Sequence, residues 1–367
     1  VAVEAFVIDS AEVAEAGWAN AGEWDEFVAR APGGDLVQTT AWAESKRALG
    51  FEVLAAPVRA GTALVGGAQI VVKRLGPLGA LAYVARGPLL ACGCGHHARE
   101  VVDAVEDAAR RARVRLIVVQ PPPGCDAIEA ELVARGYTLD APAVSPSATM
   151  RIDLRPSLEQ ILARMAPSKR HEIRRGQRAG VTIKSGARTD IELFHDLHQA
   201  TARRQGFPAL SKSYLVQQWD ALPRGAIRLI LAYHGGRAVA GAWMTAFGDT
   251  VSGRLTGWVG QKGPVHPAMA CHWGAIQWAK ENGYRYYDLG GFDRRYAELL
   301  VAGQPLPEEF HQAPSAFKHY MGAEPLLLPM ARQRAFDPLT SFIARAVYPH
   351  VNRSQSLRRL IDRLRNG

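Results

Sequence analysis

At 367 residues, 48% of them hydrophobic and 22% charged, the chain exceeds one ordinary core; its balance is that of a two-domain globular protein and excludes a disordered or fibrous one. A net charge of +9, from 44 Lys and Arg against 35 Asp and Glu, leaves two sources open: a polyanionic partner (nucleic acid, an anionic membrane surface or a phosphorylated substrate) or basic compositional drift. Four cysteines (Cys92, Cys94, Cys125, Cys271) make no disulfide framework in so long a chain, and no run reaches the length of a membrane span; "VAVEAFVIDS" lacks the basic-then-apolar order of a signal peptide, so a cytoplasmic protein without a transmembrane segment is expected.

Residues 11–30 alternate like a short helix. A second helix follows in "TTAWAESKRALG", with Thr39 or Thr40 as N-cap and Gly50 as its stop. "FEVLAAPVRA", "ALVGGAQIVVK" and "ALAYVARGP" read as strands. "HHAREVVDAVEDAARRAR" is an amphipathic helix leading into the buried strand "VRLIVVQ", which prolines end. A helix at 125–135 stops at Gly136, and "SATMRIDL" is another strand.

The second half repeats this plan. "IRLILAYHGGRAVAGAWMTAFGDT" is a hairpin turning at Gly235–Gly236, and its "VAGAWM" echoes "VGGAQI". "AMACHWGAIQWAKENG" is a helix feeding the strand "YRYYDLGG". The corresponding strands start at Val114 and Tyr284, an offset of 284 − 114 = 170. Hairpin, helix and strand, twice at one offset, indicate duplication of an α/β unit with a mixed sheet covered by helices. The expected domains are 1–150 and 151–324, with 325–367 returning to the first because its tail has too little strand pattern to stand alone. That tail, "YPHVNRSQSLRRLIDRLRNG", reads as a basic amphipathic helix that packs on the first domain, contacts tRNA or lies on a membrane surface, with packing the preferred reading.

Between the units, "MAPSKRHEIRRGQRAGV" is a helix with Lys169, Arg170, Arg174, Arg175 and Arg178 within ten positions. It is either a solvated basic face or a polyanion contact. "CGCGHH" lacks the spacing of a zinc ribbon or finger, so a Gly-rich turn opening a helix is expected there and no metal. In "APSAFKHYMGAEP", Lys318 stands among aromatic residues; it either lays its stem on apolar surface or supplies a fixed charge where negative charge develops.

The order of helices, hairpin, helix and strand resembles a GNAT-type acyltransferase, whose pyrophosphate-binding turn is Q/R-x-x-G-x-G/A. Here "GQKGPVHPAM" puts Pro264 and His266 where glycines belong, and proline has no amide to donate. A tandem of such units without the coenzyme A cradle resembles the Fem family of non-ribosomal peptidyl transferases, which attach an amino acid from aminoacyl-tRNA to an amine. "QTTAWAESK", "YVARGPLL", "SKRHEIRRGQRAGV", "TARRQGFPALSKSYL", "WGAIQWAKENGYRYYDLGG" and "SAFKHYMGAEP" carry the resemblance, in order, over nearly the whole chain. Residues 181–226 leave no room for the coiled-coil arm of longer members, so this is a compact form.

The resemblance implies two tandem GNAT-like domains, an aminoacyl-tRNA co-substrate, no other cofactor, and an amine acceptor that is a peptidoglycan precursor or a small natural-product intermediate, with transient membrane-surface contact in prospect. It carries Phe317 and Lys318 to the place where the tRNA 3′ end meets the reacting ester: Phe317 would stack the terminal adenine and Lys318 would face the oxyanion. It carries Lys46 to an acceptor phosphate, and Arg204 and Tyr214 to the acceptor, unless these two are a structural pair. Arg86 is a substrate contact or holds its turn; Lys169, Arg170, Arg174 and Arg175 would meet tRNA. The family's acidic residue soon after R-G-P is missing from "RGPLLACGCG", which leaves the proton acceptor open, and Asp288 in "YYDLGG" reads as a cap for the following turn. Two other classes stand beside this reading: a coenzyme A-dependent N-acyltransferase, and a non-catalytic scaffold that binds tRNA or a membrane.

Overall fold

The structure, a computed structural model, describes residues 20–76, 79–139, 145–260 and 267–346, with side chains to Phe342. The tail helix expected beyond 346, the start of the helix expected from residue 11, and the Gln261–His266 turn lie outside the described residues. The chain divides into two compact units, one running to Ser145 and resumed at Pro329, the other spanning Pro146–Leu328.

The first unit opens with α1 (Ala21–Arg30), capped by the Asn20 side chain on the Glu23 amide, and α2 (Thr40–Arg47), capped by Thr39 on the Trp42 amide. Strands β1 (Glu52–Ala60), β2 (Ala63–Arg74) and β3 (Ala80–Ala85) form an antiparallel meander, and the short β4 (Leu89–Leu90) pairs with β2. Helix α3 (Ala98–Arg111) lays Val101, Val102, Val105 and Ala109 on that sheet and delivers β5 (Val114–Gln120), which lies parallel to β3. Helix α4 (Asp126–Ala134) packs against α3.

The second unit begins with β6 (Ala148–Asp153) and α5 (Leu158–Arg164), whose Ser157 and Gln160 form a reciprocal capping box. Then come the basic helix α6 (Pro167–Arg178), β7 (Thr182–Gly186), α7 (Ile191–Gln205), α8 (Lys212–Ala221), β8 (Ile227–His234), β9 (Arg237–Phe247) and β10 (Thr250–Trp258). The β8–β9 turn is the expected Gly235–Gly236, with φ of 56° and 75°. Helix α9 (Pro267–Glu281) leads to β11 (Tyr286–Gly291), followed by α10 (Arg294–Val301), the short α11 (Ala316–Tyr320) and β12 (Glu324–Leu327). The sheet order is β12-β6-β11-β10-β9-β8-β7, antiparallel except for β10 on β11. Helix α7 packs on β9 and β10, while α9 packs on β8, β9 and β10 and is buried along most of its length.

The chain then re-enters the first unit with β13 (Arg332–Ala335) and α12 (Pro338–Ala346), giving the sheet order β1-β2-β3-β5-β13. The return starts at Pro329 because Glu324–Leu327 is still paired to β6 in the second sheet. Both sheets are mixed and helix-covered, the fold class expected. The duplication is visible in the strands: β1, β2, β3 and β5 repeat as β8, β9, β10 and β11, each with one parallel pair after a helical crossover.

Glu106 on α3 binds the first unit together. It is 1% exposed, and its carboxylate accepts from Tyr137 (3.2 Å), Arg110 (2.6 Å) and, on the returning β13, Arg334 (2.5 Å). A buried carboxylate survives only with such partners, and removing one side of a buried pair typically costs 3–5 kcal/mol. Glu106→Ala should therefore lower stability by about 3 kcal/mol or more in chemical denaturation, and Tyr137→Phe by about 1 kcal/mol.

Candidate active site

The two units differ at their parallel strand pairs. In the first, β3 and β5 stay paired from Ala80–Val114 to Ala85–Gln120. In the second, β10 and β11 pair only at Thr250–Tyr286, Val251–Tyr287 and Ser252–Asp288, then part. Beyond that point β10 bulges against β9 between Gly253 and Leu255. Strand β11 turns at Gly290, whose φ is 77° and where a Cβ would stand 3.0 Å from the Gly253 carbonyl oxygen.

Asp288 occupies the fork. Its carboxylate accepts from the Gly290 amide (2.6 Å) and from the Thr149 hydroxyl, which also lies 2.9 Å from the Gly290 carbonyl. Thr149 reaches it from β6, which runs antiparallel to β11 with Arg151 opposite Asp288. The turn-capping role expected of Asp288 is present, and a lysine at the same turn adds its charge. Burial pushes its carboxyl up, opposed by the Thr149 and Gly290 hydrogen bonds and by the charges of Arg151 and Lys318.

That lysine is Lys318, on α11. Its stem is half-buried and its Nζ donates to the Gly291 carbonyl at 2.5 Å. Burial pulls its ammonium down to about 8, with Asp288 pulling the other way. The head of the lysine is thus fixed on the turn that ends β11. Phe317 is half-buried, its ring 5.6 Å from that of His272 on α9. His272 is buried and its Nδ1 lies 3.2 Å from the Tyr287 hydroxyl. Burial first, then the Lys318 charge, depress its pKa to about 4, so it is neutral near pH 7. Short α11 is anchored beneath by the buried Phe310, packed edge-on to Phe292, Tyr296 and His319, and by Tyr320, whose carbonyl accepts from the Ala166 amide (2.8 Å) that opens α6.

Residues 167–298 match the acetyltransferase (GNAT) domain family and residues 19–134 match the FemAB family. Lipid II:glycine glycyltransferases of Staphylococcus aureus strains MRSA252 and USA300 are each 26% identical over 212 residues, 54% of this chain and 50% of theirs. The FemAB match covers the first part of the chain, and the acetyltransferase match the second. The chain spans about half the length of these curated relatives. The crystal structure of FemX superposes with a TM-score of 0.77 at 19% identity, covering 90% of this chain and 99% of that one. A tandem GNAT protein from the clavulanic acid biosynthesis pathway superposes with a TM-score of 0.53 at 15% identity, covering 87% and 95%. At these identities the last two speak for the fold alone: two tandem GNAT-like units.

The other residues expected to act fall in several places. Lys46 and Arg86 are in the first unit. Lys46 Nζ stands 5.4 Å from the Trp42 ring and 5.7 Å from Phe51. Arg86 is 9% exposed at the turn after β3, 4.0 Å from the Asp35 carboxylate, a burial that suits a turn-holding residue. Arg204, at the end of α7, stacks 4.3 Å over the Trp258 ring and donates to the Trp258 carbonyl (3.4 Å). Tyr214 on α8 accepts from Gln218 (3.1 Å), and burial raises its hydroxyl against the charge of Arg254. On α6, Lys169 is paired with Glu172 (2.7 Å), and Arg170 donates to the Ala163 and Met165 carbonyls at 3.1 and 2.5 Å. Arg170 thus holds the α5–α6 corner and Lys169 pairs within α6, whereas Arg174 and Arg175 are exposed. Sequence reasoning missed Thr149, Arg151 and His272, and no motif marks them; only the pairing of β6 with β11 and the burial of α9 bring them to the fork.

Gly290→Ala should cost about 1–2 kcal/mol for the left-handed conformation alone, read as a lowered denaturation midpoint. Gly50→Ala, whose left-handed Cβ would meet nothing within 4 Å, is the control for conformation without the close approach.

Proposed function

We propose that this chain is an aminoacyl-tRNA-dependent aminoacyltransferase. It joins a tRNA-borne amino acid, in amide linkage, to an amine on a peptidoglycan precursor or a small natural-product intermediate. The observation that carries this reading is the Lys318 ammonium, half-buried on the Gly291 carbonyl at the end of β11, where β10 and β11 have parted. Aminoacyl transfer from a tRNA ester needs no protein nucleophile. It needs an oriented amine, a positive charge for the tetrahedral oxyanion and a destination for one proton. The naming of curated relatives as lipid II:glycine glycyltransferases supports the peptidoglycan branch.

In this reading the amine attacks the ester carbonyl, Lys318 stabilises the oxyanion, and the tRNA 3′ oxygen leaves with the proton. Phe317 packs beside the lysine and flanks the ester. Arg174 and Arg175, on the helix whose first turn is tied to Tyr320, meet tRNA phosphates. The test uses the purified chain with total charged tRNA and, in separate reactions, a muropeptide precursor and cell extract, read by the mass shift of the acceptor. Transfer from acetyl-coenzyme A with none from aminoacyl-tRNA would replace this reading with the N-acyltransferase one.

Lys318→Ala should lower turnover on the order of a hundredfold or more with little change in substrate binding. Lys318→Arg should restore it only in part, because a planar fork is not a compact point charge. Rates should also fall as pH rises through about 8, where Lys318 loses its proton. Arg174→Ala with Arg175→Ala should flatten the salt dependence of tRNA binding by about one unit of slope for each lost phosphate contact; an unchanged slope would leave α6 a solvated face.

A further inference from the structure

We propose that the rings of Tyr320 and His311 form a base-stacking platform for the single-stranded 3′ end of an RNA, carrying that strand from Phe317 toward helix α6. The proposal rests on the transferase reading for the identity of the RNA as tRNA, and on the arrangement of the rings for everything else.

Helix α11 sets the order of its side chains. Successive residues of an α-helix lie about 100° apart around its axis. With Phe317 as reference, Lys318 lies about 100° to one side and Tyr320 about 60° to the other. The phenylalanine therefore stands between the lysine at the fork and the tyrosine. A strand whose end meets Lys318 and Phe317 leaves the fork across Tyr320.

Tyr320 has a partner in that direction. Its hydroxyl is hydrogen-bonded to His311 Nδ1, from the short turn Glu308–Gln312, with the ring planes 18° apart and the centroids 6.3 Å apart. Joined edge to edge, the two rings lie side by side in nearly one orientation, and neither covers the other's face. Buried Phe310 packs against both, 6.4 Å from Tyr320 and 5.7 Å from His311, and His319 lies 5.6 Å from Tyr320. Aromatic packing thus backs the pair and a hydrogen bond fixes it, while His311 is exposed and Tyr320 half-buried. A base stacks on such a surface whatever its identity, because every base has a π-face.

Charge is divided from stacking here. The turn that holds His311 also carries Glu308 and Glu309, the latter paired with Arg295 at 3.1 Å, so it offers a phosphate little. The cations lie on α6, which is joined to the Tyr320 carbonyl through the Ala166 amide (2.8 Å). At about 1.5 Å per residue, exposed Arg174 stands about 12 Å along that helix from Ala166. Flat ring faces beside a basic helix are the combination by which single-stranded nucleic acid is held.

The experiment measures binding of the full chain to intact uncharged tRNA, and to the same tRNA trimmed of its single-stranded 3′ end, over a salt series. The variants are His311→Ala, Tyr320→Leu and Tyr320→Phe. The first two should each weaken binding of intact tRNA by about five- to a hundredfold, the loss of one base stack. The salt slope should hold, because no phosphate contact is removed. Tyr320→Phe keeps the ring and should stay nearest the unsubstituted chain. On trimmed tRNA all three should bind as the unsubstituted chain does. In transfer from aminoacyl-tRNA the losses should appear in KM and not in kcat. Folded His311→Ala and Tyr320→Leu chains that bind intact tRNA as tightly as the unsubstituted chain overturn the proposal. A loss of equal size on trimmed tRNA overturns it too, since the rings would then serve the fold or the duplex. If Tyr320→Leu does not fold, His311→Ala decides alone. A chain that transfers from aminoacyl-tRNA with a KM untouched by His311→Ala keeps the transferase reading and loses the platform. A chain that holds the 3′ end through these rings and transfers from no aminoacyl-tRNA keeps the platform and loses the transferase reading.

Discussion

The second unit is organised by a pairing that stops. Strands β10 and β11 hold register for three residue pairs and separate after Ser252–Asp288, whereas β3 and β5 in the first unit run on to Ala85–Gln120. A parallel pair can part only if its freed backbone groups find other partners. Here the Gly290 amide finds Asp288, the Gly290 carbonyl finds Thr149, and the Gly291 carbonyl finds Lys318. The groups that stabilise the fork are thus the groups of the site. The repeated unit is thus closed in the first copy and open in the second, so the repeat of the fold does not repeat the fork.

Repeated hydrophobic patterning made most of the fold legible. The hairpins, α3, α9, β5 and β11 all follow from runs of apolar residues at strand or helix spacing. Strand β10 escaped that reading because "TVSGRLTGW" carries two glycines and a central arginine, a poor strand by composition. The 170-residue offset nevertheless points to it, since 250 − 80 = 170 places β10 on β3. Glycine at 257 has its own reason: a Cβ there would stand 2.5 Å from the His198 amide of α7, so the helix packs closely only over a bare backbone. Lys318 was legible as a residue type in a family pattern, but its setting was not. Asp288 is thirty positions upstream (318 − 288), and the lysine comes to the turn that Asp288 caps through the Gly291 carbonyl.

The positive balance of the chain reads differently once its arginines are placed. Arg151 and Arg285 lie over Tyr286, Arg204 over Trp258, Arg228 over Trp278 and Arg295 over Tyr296, each with the guanidinium carbon 4.3–5.1 Å from the ring centroid. Arg170 is committed to backbone carbonyls at the mouth of α6. Such contacts use the flat, weakly hydrated guanidinium as packing material. A net charge of +9 therefore overstates the surface free to meet a polyanion. Exposed Arg174 and Arg175, on the helix joined to the Lys318 segment through Ala166 and Tyr320, make the more specific footprint.

The same distinction explains why the fork holds a lysine. A guanidinium would stay charged at every pH and would demand several coplanar acceptors, which the turn at Gly290–Gly291 does not offer. An ammonium has three donors and no plane to satisfy. One reaches the Gly291 carbonyl. Its cost is sensitivity: burial weakens its hold on the proton. The Asp288 carboxylate that caps the same turn is itself held from two strands, by Thr149 of β6 and the Gly290 amide of β11, so the turn that receives the lysine is rigid.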